Sequence, residues 1–262
     1  MPRVYIHELV DVIGTERARY QHHMTANWCP EAGPLRRQRC FGVFSTVGST
    51  GRWPQVVNLW EYDSWDDLGH NFSVELVGVG HRDPMLEAWW REAASFRTGG
   101  LDRILVAHEA SPGVEQWCAS GGTGAAAYVH EIIRTDVDGA AALADVVAED
   151  RDQVADRFGM ELVGLWRTAM RAHDEVVVLR SVSDWSSWAA FEEWSSGAAS
   201  SGAGSSGPPG TVSLQRTVLV DAELSPLRIG RQPSVEDRRP LDQISRPGRL
   251  TGPAVPGPGS GR

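Results

Sequence analysis

The sequence has few of the features that mark secreted or membrane-inserted proteins. Its 262 residues contain three cysteines, Cys29, Cys40 and Cys118, and none of them forms a Cys-x-x-Cys pair. An odd number of cysteines argues against a disulfide framework, so we expect reduced thiols. No stretch approaches the roughly eighteen apolar residues of a membrane span, and Met1–Val10 shows no basic segment followed by an apolar one. We therefore expect a cytoplasmic protein with no membrane partner.

Positive charge and metal-binding patterns are also scarce. The formal net charge is -9 and the pI is about 5.4, whereas a nucleic-acid-binding surface needs clustered basic residues, so we expect no nucleic-acid partner. The sequence shows no zinc-ligand spacing, and His22 and His23 diverge on a predicted helix. No glycine-rich phosphate loop follows a predicted strand. We expect no metal site.

The chain does contain one series of segments twice. Tyr5–Leu9 returns as Tyr128–Ile132, and both copies carry a His-Glu step, at His7-Glu8 and His130-Glu131. Further segments return in the same order about 120 residues later, those that begin at Phe41, Val56 and Arg103 matching those at Val163, Val176 and Arg216. Collinear matches of this kind indicate two diverged copies of one unit.

Each copy follows the order β-α-β-β-α-β, which is that of a ferredoxin-like unit. The order comes from alternating apolar segments, which predict strands, and from helical stretches between them that begin at capping residues such as Asp63 or Ser64 and Asp83-Pro84. We predict an α+β fold with two tandem ferredoxin-like units, at residues 1–112 and 126–226, joined by a linker at residues 113–125.

The last part of the chain differs in composition from both units. Residues 227–262 are rich in Pro, Gly and Arg and nearly free of aromatic residues. Such a segment cannot bury enough apolar surface to offset the entropy lost on ordering. We therefore predict a disordered C-terminal tail at residues 227–262. Gly, Ser and Pro also dominate residues 195–210, where we predict a flexible loop.

One stretch of the first unit resembles a known family. Val56–Trp65, followed by Asp83–Trp89, is similar to the NIPSNAP family of the dimeric α/β-barrel superfamily, whose stretch runs apolar-apolar-His-Leu-Trp-x-Tyr-x-Ser. Asn58 stands where that family often has His. The resemblance implies two ferredoxin-like sheets packed face to face as an α/β barrel, usually from two chains. Because both copies lie in one chain, the protein is expected to be a monomer with an intramolecular barrel or a homodimer.

The two copies also suggest which strand positions face the barrel interior. Leu59 and Leu179 occupy matching positions and are both leucine, as expected of positions that pack against helices. Their neighbours differ between the copies, so we expect Asn58, Trp60 and Arg180 to point into the barrel and bind substrate.

The His-Glu steps are the strongest polar candidates for catalysis. Side chains alternate along a strand, so His7 and Glu8, like His130 and Glu131, point to opposite faces. A buried His or Glu from one of these steps can act as a general base for an activated C–H or a phenol. The alternative is that these are hydrogen-bonded core or subunit-contact residues.

Eleven tryptophans suggest a large aromatic core or an aromatic chamber. If the tryptophans form an aromatic chamber, we expect Tyr5, Tyr128 and Trp166 to line that chamber with Trp60 and to contact a small apolar or aromatic molecule.

Two classes of function remain open. One is a cofactor-independent enzyme, an oxygenase, isomerase or cyclase, acting on an aromatic or polyketide-like substrate. The other is a non-catalytic binding or assembly protein of the NIPSNAP type. A convergent pocket with a buried ionisable residue favours the enzyme, and an interior filled by Trp and Phe favours the second class. Haem-degrading relatives in the superfamily also suggest a haem-binding protein with His70 as the iron ligand.

Overall fold

A computed structural model describes residues 1–76, 83–122, 124–200 and 208–244. In these ranges the chain forms an eight-stranded closed antiparallel barrel with helices on its outer surface. None of the helices in the described ranges is long and apolar enough to cross a membrane. The described part is thus an α+β barrel made by a single chain.

The first half of the chain provides four strands: β1 (Val4–Val12), β2 (Arg39–Thr46), β3 (Gln55–Tyr62) and β4 (Arg97–Ala107). Its helices are α1 (Arg17–His22), α2 (Cys29–Arg36), α3 (Trp65–Glu75) and α4 (Pro84–Ala93), with a π-helical segment at His23–Trp28. The second half provides α5 (Val114–Ala119), β5 (Ala127–Arg134), α6 (Ala140–Glu149), α7 (Arg151–Phe158), β6 (Leu162–Thr168), β7 (Glu175–Val182), α8 (Trp185–Ser200), β8 (Ser213–Asp221) and α9 (Pro226–Ile229).

The order of strands around the barrel is β1-β3-β2-β8-β5-β7-β6-β4, and β4 closes back on β1. Each half contributes four adjacent strands, in the order β4-β1-β3-β2 for the first half and β8-β5-β7-β6 for the second. The halves join where β2 pairs with β8 and where β4 pairs with β6, both antiparallel. Closure leaves no open sheet edge and encloses an interior lined by alternate residues of every strand.

Two predicted helix starts are observed. Ser64 caps α3 by accepting a hydrogen bond from the Asp67 amide at 3.2 Å. Asp83 caps α4 by accepting one from the Met85 amide at 3.0 Å, and Pro84 occupies the first helical position. Side-chain capping satisfies an amide that the helix itself cannot pair, which fixes where each helix begins.

Two matched glycines allow large aromatic rings to fold back over the sheet. A Cβ atom at Gly42 would lie 2.4 Å from Cζ of Phe44, and one at Gly164 would lie 1.8 Å from Cη2 of Trp166. The register of each strand shifts at the same place, next to Gly42 in β2 and next to Gly164 in β6. These irregularities aim Phe44 and Trp166 into the barrel, where both are fully buried.

The predicted linker at residues 113–125 is not a simple connection. It contains α5, whose Val114 and Trp117 are buried among residues of the barrel interior. The Val114 amide donates to Glu61 Oε2 at 3.0 Å, and the Tyr5 hydroxyl donates to the same atom at 2.6 Å. This short helix therefore closes one end of the barrel.

The prediction of a disordered tail at residues 227–262 is wrong for residues 227–244. Leu227 is fully buried in the barrel interior cluster, and Ile244 is 7% exposed. The Gln232 side chain exchanges two hydrogen bonds with the Cys40 backbone, of 2.9 and 2.8 Å. The Arg239 amide donates to His22 Nε2 at 3.1 Å. Polar contacts with the first half thus hold in place a segment that is poor in apolar residues. The remainder of the predicted tail, residues 245–262, lies outside the described ranges.

The glycine- and serine-rich stretch predicted as a loop begins in helix instead. Helix α8 continues to Ser200, and the chain re-enters the described ranges at residue 208. Residues 201–207 of the predicted loop lie outside them.

Candidate functional site

The barrel has two buried faces, and the structure reverses the predicted assignment of residues to them. Leu59 and Leu179 belong to the cluster that fills the barrel interior. Trp60 packs instead in the cluster between the sheet and the helices of the first half. Asn58 and Arg180 share that outward orientation because they alternate with the two leucines along β3 and β7. The expectation that Asn58, Trp60 and Arg180 point into the barrel is therefore wrong.

The His-Glu steps split between the two faces as alternation requires. His7 and His130 meet inside the barrel, whereas Glu8 and Glu131 lie beneath the helices of their own halves. The catalytic candidates thus occupy three separate places, and no common chamber unites them.

Glu8 lies at the centre of a polar cluster beneath the helices of the first half. Asn58 Nδ2 donates to Glu8 Oε2 at 2.8 Å, and Trp60 Nε1 donates to the same oxygen at 2.9 Å. Asn58 Nδ2 also lies 3.2 Å from the Tyr20 hydroxyl oxygen, which accepts from it. Among the described residues, Glu8 Oε1 receives no hydrogen bond, so one carboxylate oxygen is positioned and the other is free.

The surroundings favour the protonated form of Glu8. Burial raises the pKa of its carboxyl group, and the neighbouring Asp102 raises it further. The hydrogen bonds from Trp60 and Asn58 and the charge of Arg97 act in the opposite direction. Glu8 is nevertheless only partly buried. A carboxyl group with a raised pKa and an unpaired oxygen is suited to exchange a proton with a bound molecule.

Asn58 has an unused acceptor at the same place. Its Oδ1 atom is buried and, among the described residues, has no hydrogen-bond donor. An unpaired buried polar atom costs free energy. The side chain thus supports Glu8 through Nδ2 at the cost of leaving Oδ1 unpaired.

Aromatic groups form the rest of the cover over this cluster. His23 and Trp89 stack with their ring centroids 4.9 Å apart, and Trp28 lies 5.2 Å from Trp89. The Arg97 guanidinium lies over the rings of Trp89 and Trp90, at 5.8 and 4.2 Å from their centroids. The polar cluster therefore adjoins flat apolar and cationic surfaces.

Sequence reasoning missed Tyr20, Arg97 and Asp102. Asp102 stands directly opposite Glu8 on the neighbouring strand β4, and no local pattern in the sequence reveals that pairing. Burial raises the pKa of Asp102, and burial likewise raises that of the Tyr20 hydroxyl, with a further contribution from Glu8. The helical spacing of Tyr20 and Met24 was a signal for a buried face, and both are buried.

The equivalent place in the second half is closed by ion pairs. Glu131 stands opposite Arg216 in the sheet, and Arg216 Nε donates to Glu131 Oε1 at 2.8 Å. Arg180 Nε lies 3.9 Å from Glu131 Oε2. Arg216 also contacts Glu192 and Ser195, both at 3.1 Å. The matching glutamates thus face residues of opposite charge, Asp102 in the first half and Arg216 in the second, so the two halves differ in chemistry.

His7 and His130 form a buried contact between the halves. Their Nε2 atoms are 3.1 Å apart and their rings stack with centroids 5.1 Å apart. Burial, followed by the charge of Arg103, lowers the pKa of His130 to about 4, and Glu175 acts in the opposite direction. Burial and the adjacent His130 and Arg103 lower the pKa of His7 as well. Both rings are therefore neutral at neutral pH.

The remaining aromatic candidates fill the barrel. Tyr5, Tyr128 and Trp166 are fully buried, and the Tyr5 and Trp166 rings meet edge to face at a centroid distance of 5.4 Å. Phe41 packs against both, and Phe44 packs against Tyr128. The interior at this end is a packed core.

His70 does not fit the role of a haem ligand. It lies on α3, where its Nε2 atom is hydrogen-bonded to the Leu35 carbonyl oxygen at 3.1 Å in an exposed contact. Among the described residues, no group of three or more His, Cys, Asp or Glu side chains could hold a metal ion.

Comparison of the sequence with family models and with curated proteins finds no match. Solved structures do match. An anthrone oxidase-like protein gives a TM-score of 0.54 at 11% identity, over 84% of this chain and 92% of that chain. A proposed monooxygenase from Fusobacterium nucleatum gives 0.53 at 9% identity, over 85% of this chain and 93% of its own.

A NIPSNAP family protein from Agrobacterium tumefaciens also matches, over 42% of this chain and 97% of its own, at 21% identity and a TM-score of 0.33. The structural neighbours thus include NIPSNAP proteins and monooxygenase-like α/β barrels. At these identities the likeness to the anthrone oxidase-like protein and to the Fusobacterium protein concerns the fold alone.

Proposed function

We propose that this protein handles small molecules at the Glu8 cluster and is a cofactor-independent oxygenase acting on an aromatic, polyketide-like substrate. The observation that carries the proposal is the state of Glu8, which has one oxygen held by Asn58 and Trp60, one oxygen free, and a raised pKa. The anthrone oxidase-like and monooxygenase-like neighbours support this choice among reactions that a carboxylate base can start.

An anthrone illustrates the chemistry. Glu8 Oε1 accepts the proton from the benzylic carbon opposite the carbonyl group, and the resulting enolate is stabilised by the adjoining rings. Dioxygen takes the electrons and forms a carbon–oxygen bond as a hydroperoxide. Loss of water from the hydroperoxide yields the quinone, so one anthrone and one dioxygen give one anthraquinone and one water.

The first half alone is proposed to be active. In the second half, Arg216 neutralises Glu131 and occupies the space beside it. Both oxygens of Glu131 face arginines, Oε1 towards Arg216 and Oε2 towards Arg180.

Oxygen consumption with 1,8-dihydroxyanthrone in the presence of EDTA tests the proposal. We expect turnover by the wild-type protein and a loss of about 100-fold or more in kcat for Glu8→Gln, which removes the base but preserves its shape. Glu87→Gln, on exposed helix α4, is the matched control and should retain full activity. Equal turnover by Glu8→Gln and wild type would rule out Glu8 as the base.

A non-catalytic binding role is the second candidate. It is favoured by the filled barrel interior, where Tyr5, Phe41 and Trp166 pack together. Tight binding of aromatic ligands by wild type without any oxygen consumption across a panel of anthrones and phenols would select it.

A further inference from the structure

A pocket of about 370 Å³ lies beside the Glu8 cluster, where the two halves of the barrel meet. In the first half it is lined by residues of β1, α3 and β4, and in the second half by the segment that follows β6. Its lining residues are Ile6, Phe72, Asp102, Arg103, Ile104, Ala169, Met170 and Arg171. The volume falls in the range of small-molecule sites.

Strand register connects this pocket to Glu8. Ile6 lies two residues before Glu8 on the same face of β1, and its partner on β4 is Ile104. Asp102, the next lining residue on that face of β4, is the register partner of Glu8 itself. The pocket therefore extends to Asp102, whose register partner is Glu8.

The walls of the pocket are apolar on both sides of the seam. Phe72 on α3 is 39% exposed and Met170 is 84% exposed, although both are large hydrophobic residues. With Ile6 and Ile104 they present an apolar surface that suits the body of a flat ligand. Exposed apolar residues grouped around a pocket are typical of binding sites.

Three arginines gather around Glu175, and two of them line the pocket together with Asp102. Glu175 is the carboxylate nearest Arg171, at 3.8 Å, and Arg103 already binds it at 2.8 Å. Arg134 lies 3.6 Å from the same carboxylate, and Thr168 donates to it at 2.8 Å. Three guanidinium groups thus share the Glu175 carboxylate. Of the two that line the pocket, Arg171 lies farther from that carboxylate, and its side chain is partly exposed.

We infer that this pocket binds an aromatic carboxylate, with the ring system between Phe72, Met170 and the two isoleucines and the carboxylate on Arg171. The inference rests on the proposed function in that it names the acidic class of substrate for the Glu8 site. Arg171, in the second half of the chain, then selects the substrate on which Glu8, in the first half, acts. A guanidinium is suited to this role because it can bind a carboxylate through two parallel hydrogen bonds.

Calorimetric titration of the full chain with 2-naphthoate and with its neutral counterpart 2-naphthamide tests this binding without requiring turnover. We expect Arg171→Gln to weaken 2-naphthoate about tenfold and to leave 2-naphthamide unchanged. Arg134→Gln is the matched control, since it removes another arginine from Glu175 but does not line the pocket. It should bind both compounds as wild type does.

The outcomes separate this inference from the proposed reaction. Absence of 2-naphthoate binding, equal binding by wild type and Arg171→Gln, or equal weakening in Arg134→Gln and Arg171→Gln would each overturn it. Arg171-dependent binding together with no oxygen consumption would support the carboxylate site and reject the oxygenase reaction.

Discussion

His7 Nε2 lies 3.1 Å from His130 Nε2 at the contact between the two halves of the barrel. One ring must donate and the other must accept, so the contact requires at least one neutral imidazole. Burial disfavours charge on either ring, and two charged rings at this distance would repel each other. The pair is therefore a structural contact whose stability depends on pH.

Acidification should destabilise the barrel through this pair. The pKa of His130 in the folded protein is about 4, below its ordinary value of 6.5, so its stabilising effect is complete above pH 6.5 and is lost as pH falls towards 4. For one such group the loss at pH 4.5 is about 2–3 kcal/mol. Denaturant unfolding at pH 7.5 and 4.5 should show this excess loss in wild type relative to the double variant His7→Leu/His130→Leu. An identical pH dependence in both proteins would contradict the account.

The matching glutamates should respond differently to the same substitution. Glu131→Gln leaves the buried Arg180 without its nearest carboxylate and leaves Arg216 paired with Glu192 alone, which should lower the free energy of unfolding by about 3 kcal/mol. Glu8→Gln retains a carbonyl oxygen for Trp60 and Asn58 and should cost about 1 kcal/mol or less. Denaturant unfolding of the two variants measures the difference, and equal losses would show that the halves are not chemically distinct.

The glycines next to the strand irregularities should not tolerate a methyl group. Gly42→Ala and Gly164→Ala force a Cβ atom into the Phe44 or Trp166 ring and should each destabilise the fold by about 1–3 kcal/mol. Gly69→Ala in α3 is the control, since its Cβ atom would meet nothing within 4 Å. It should stabilise the helix by up to about 1 kcal/mol. If Gly69→Ala lowers the Tm as much as the other two substitutions do, the packing argument is refuted.

Removal of the docked C-terminal segment should be costly. Truncation after Gly230 deletes the Gln232 hydrogen bonds to Cys40 and the Arg239 contact with His22, and it uncovers part of the first half. We expect a fall in Tm of about 4 °C or more, which corresponds to roughly 1–2 kcal/mol in a protein of this size. Truncation after Ile244 preserves every one of these contacts and serves as the comparison. Equal Tm values for the two truncations would show that the segment does not contribute to stability.

The sequence predicts much of the fold because collinear segments identify both halves and capping residues mark helix starts such as Ser64 and Asp83. It does not predict strand faces. Every residue of β7 is buried, so neither face shows the polar alternation that would distinguish the barrel interior from the helix-covered side. The retained leucines Leu59 and Leu179 were therefore assigned to the wrong face.

Contacts that arise only when the barrel closes were also beyond the sequence. His7 and His130 are 123 residues apart and meet across the interior. Asp102 becomes a neighbour of Glu8 through the pairing of β1 with β4, and the register of that pairing has no local signature. Glu8, Asn58 and Trp60 were each candidates from the sequence, but their contact with one another beneath the helices required the structure.

The pH dependence of oxygen consumption with 1,8-dihydroxyanthrone tests most directly whether Glu8 is the base. The rate should rise with pH, with a midpoint above the ordinary glutamate pKa of 4.5, because only the ionised carboxylate accepts a proton. Asp102→Asn removes a neighbouring negative charge and should lower the midpoint, whereas Trp60→Phe removes a hydrogen bond to the carboxylate and should raise it. Opposite shifts in these two variants are the predicted result. A midpoint that is unchanged in both would contradict the assignment of Glu8 as the catalytic base.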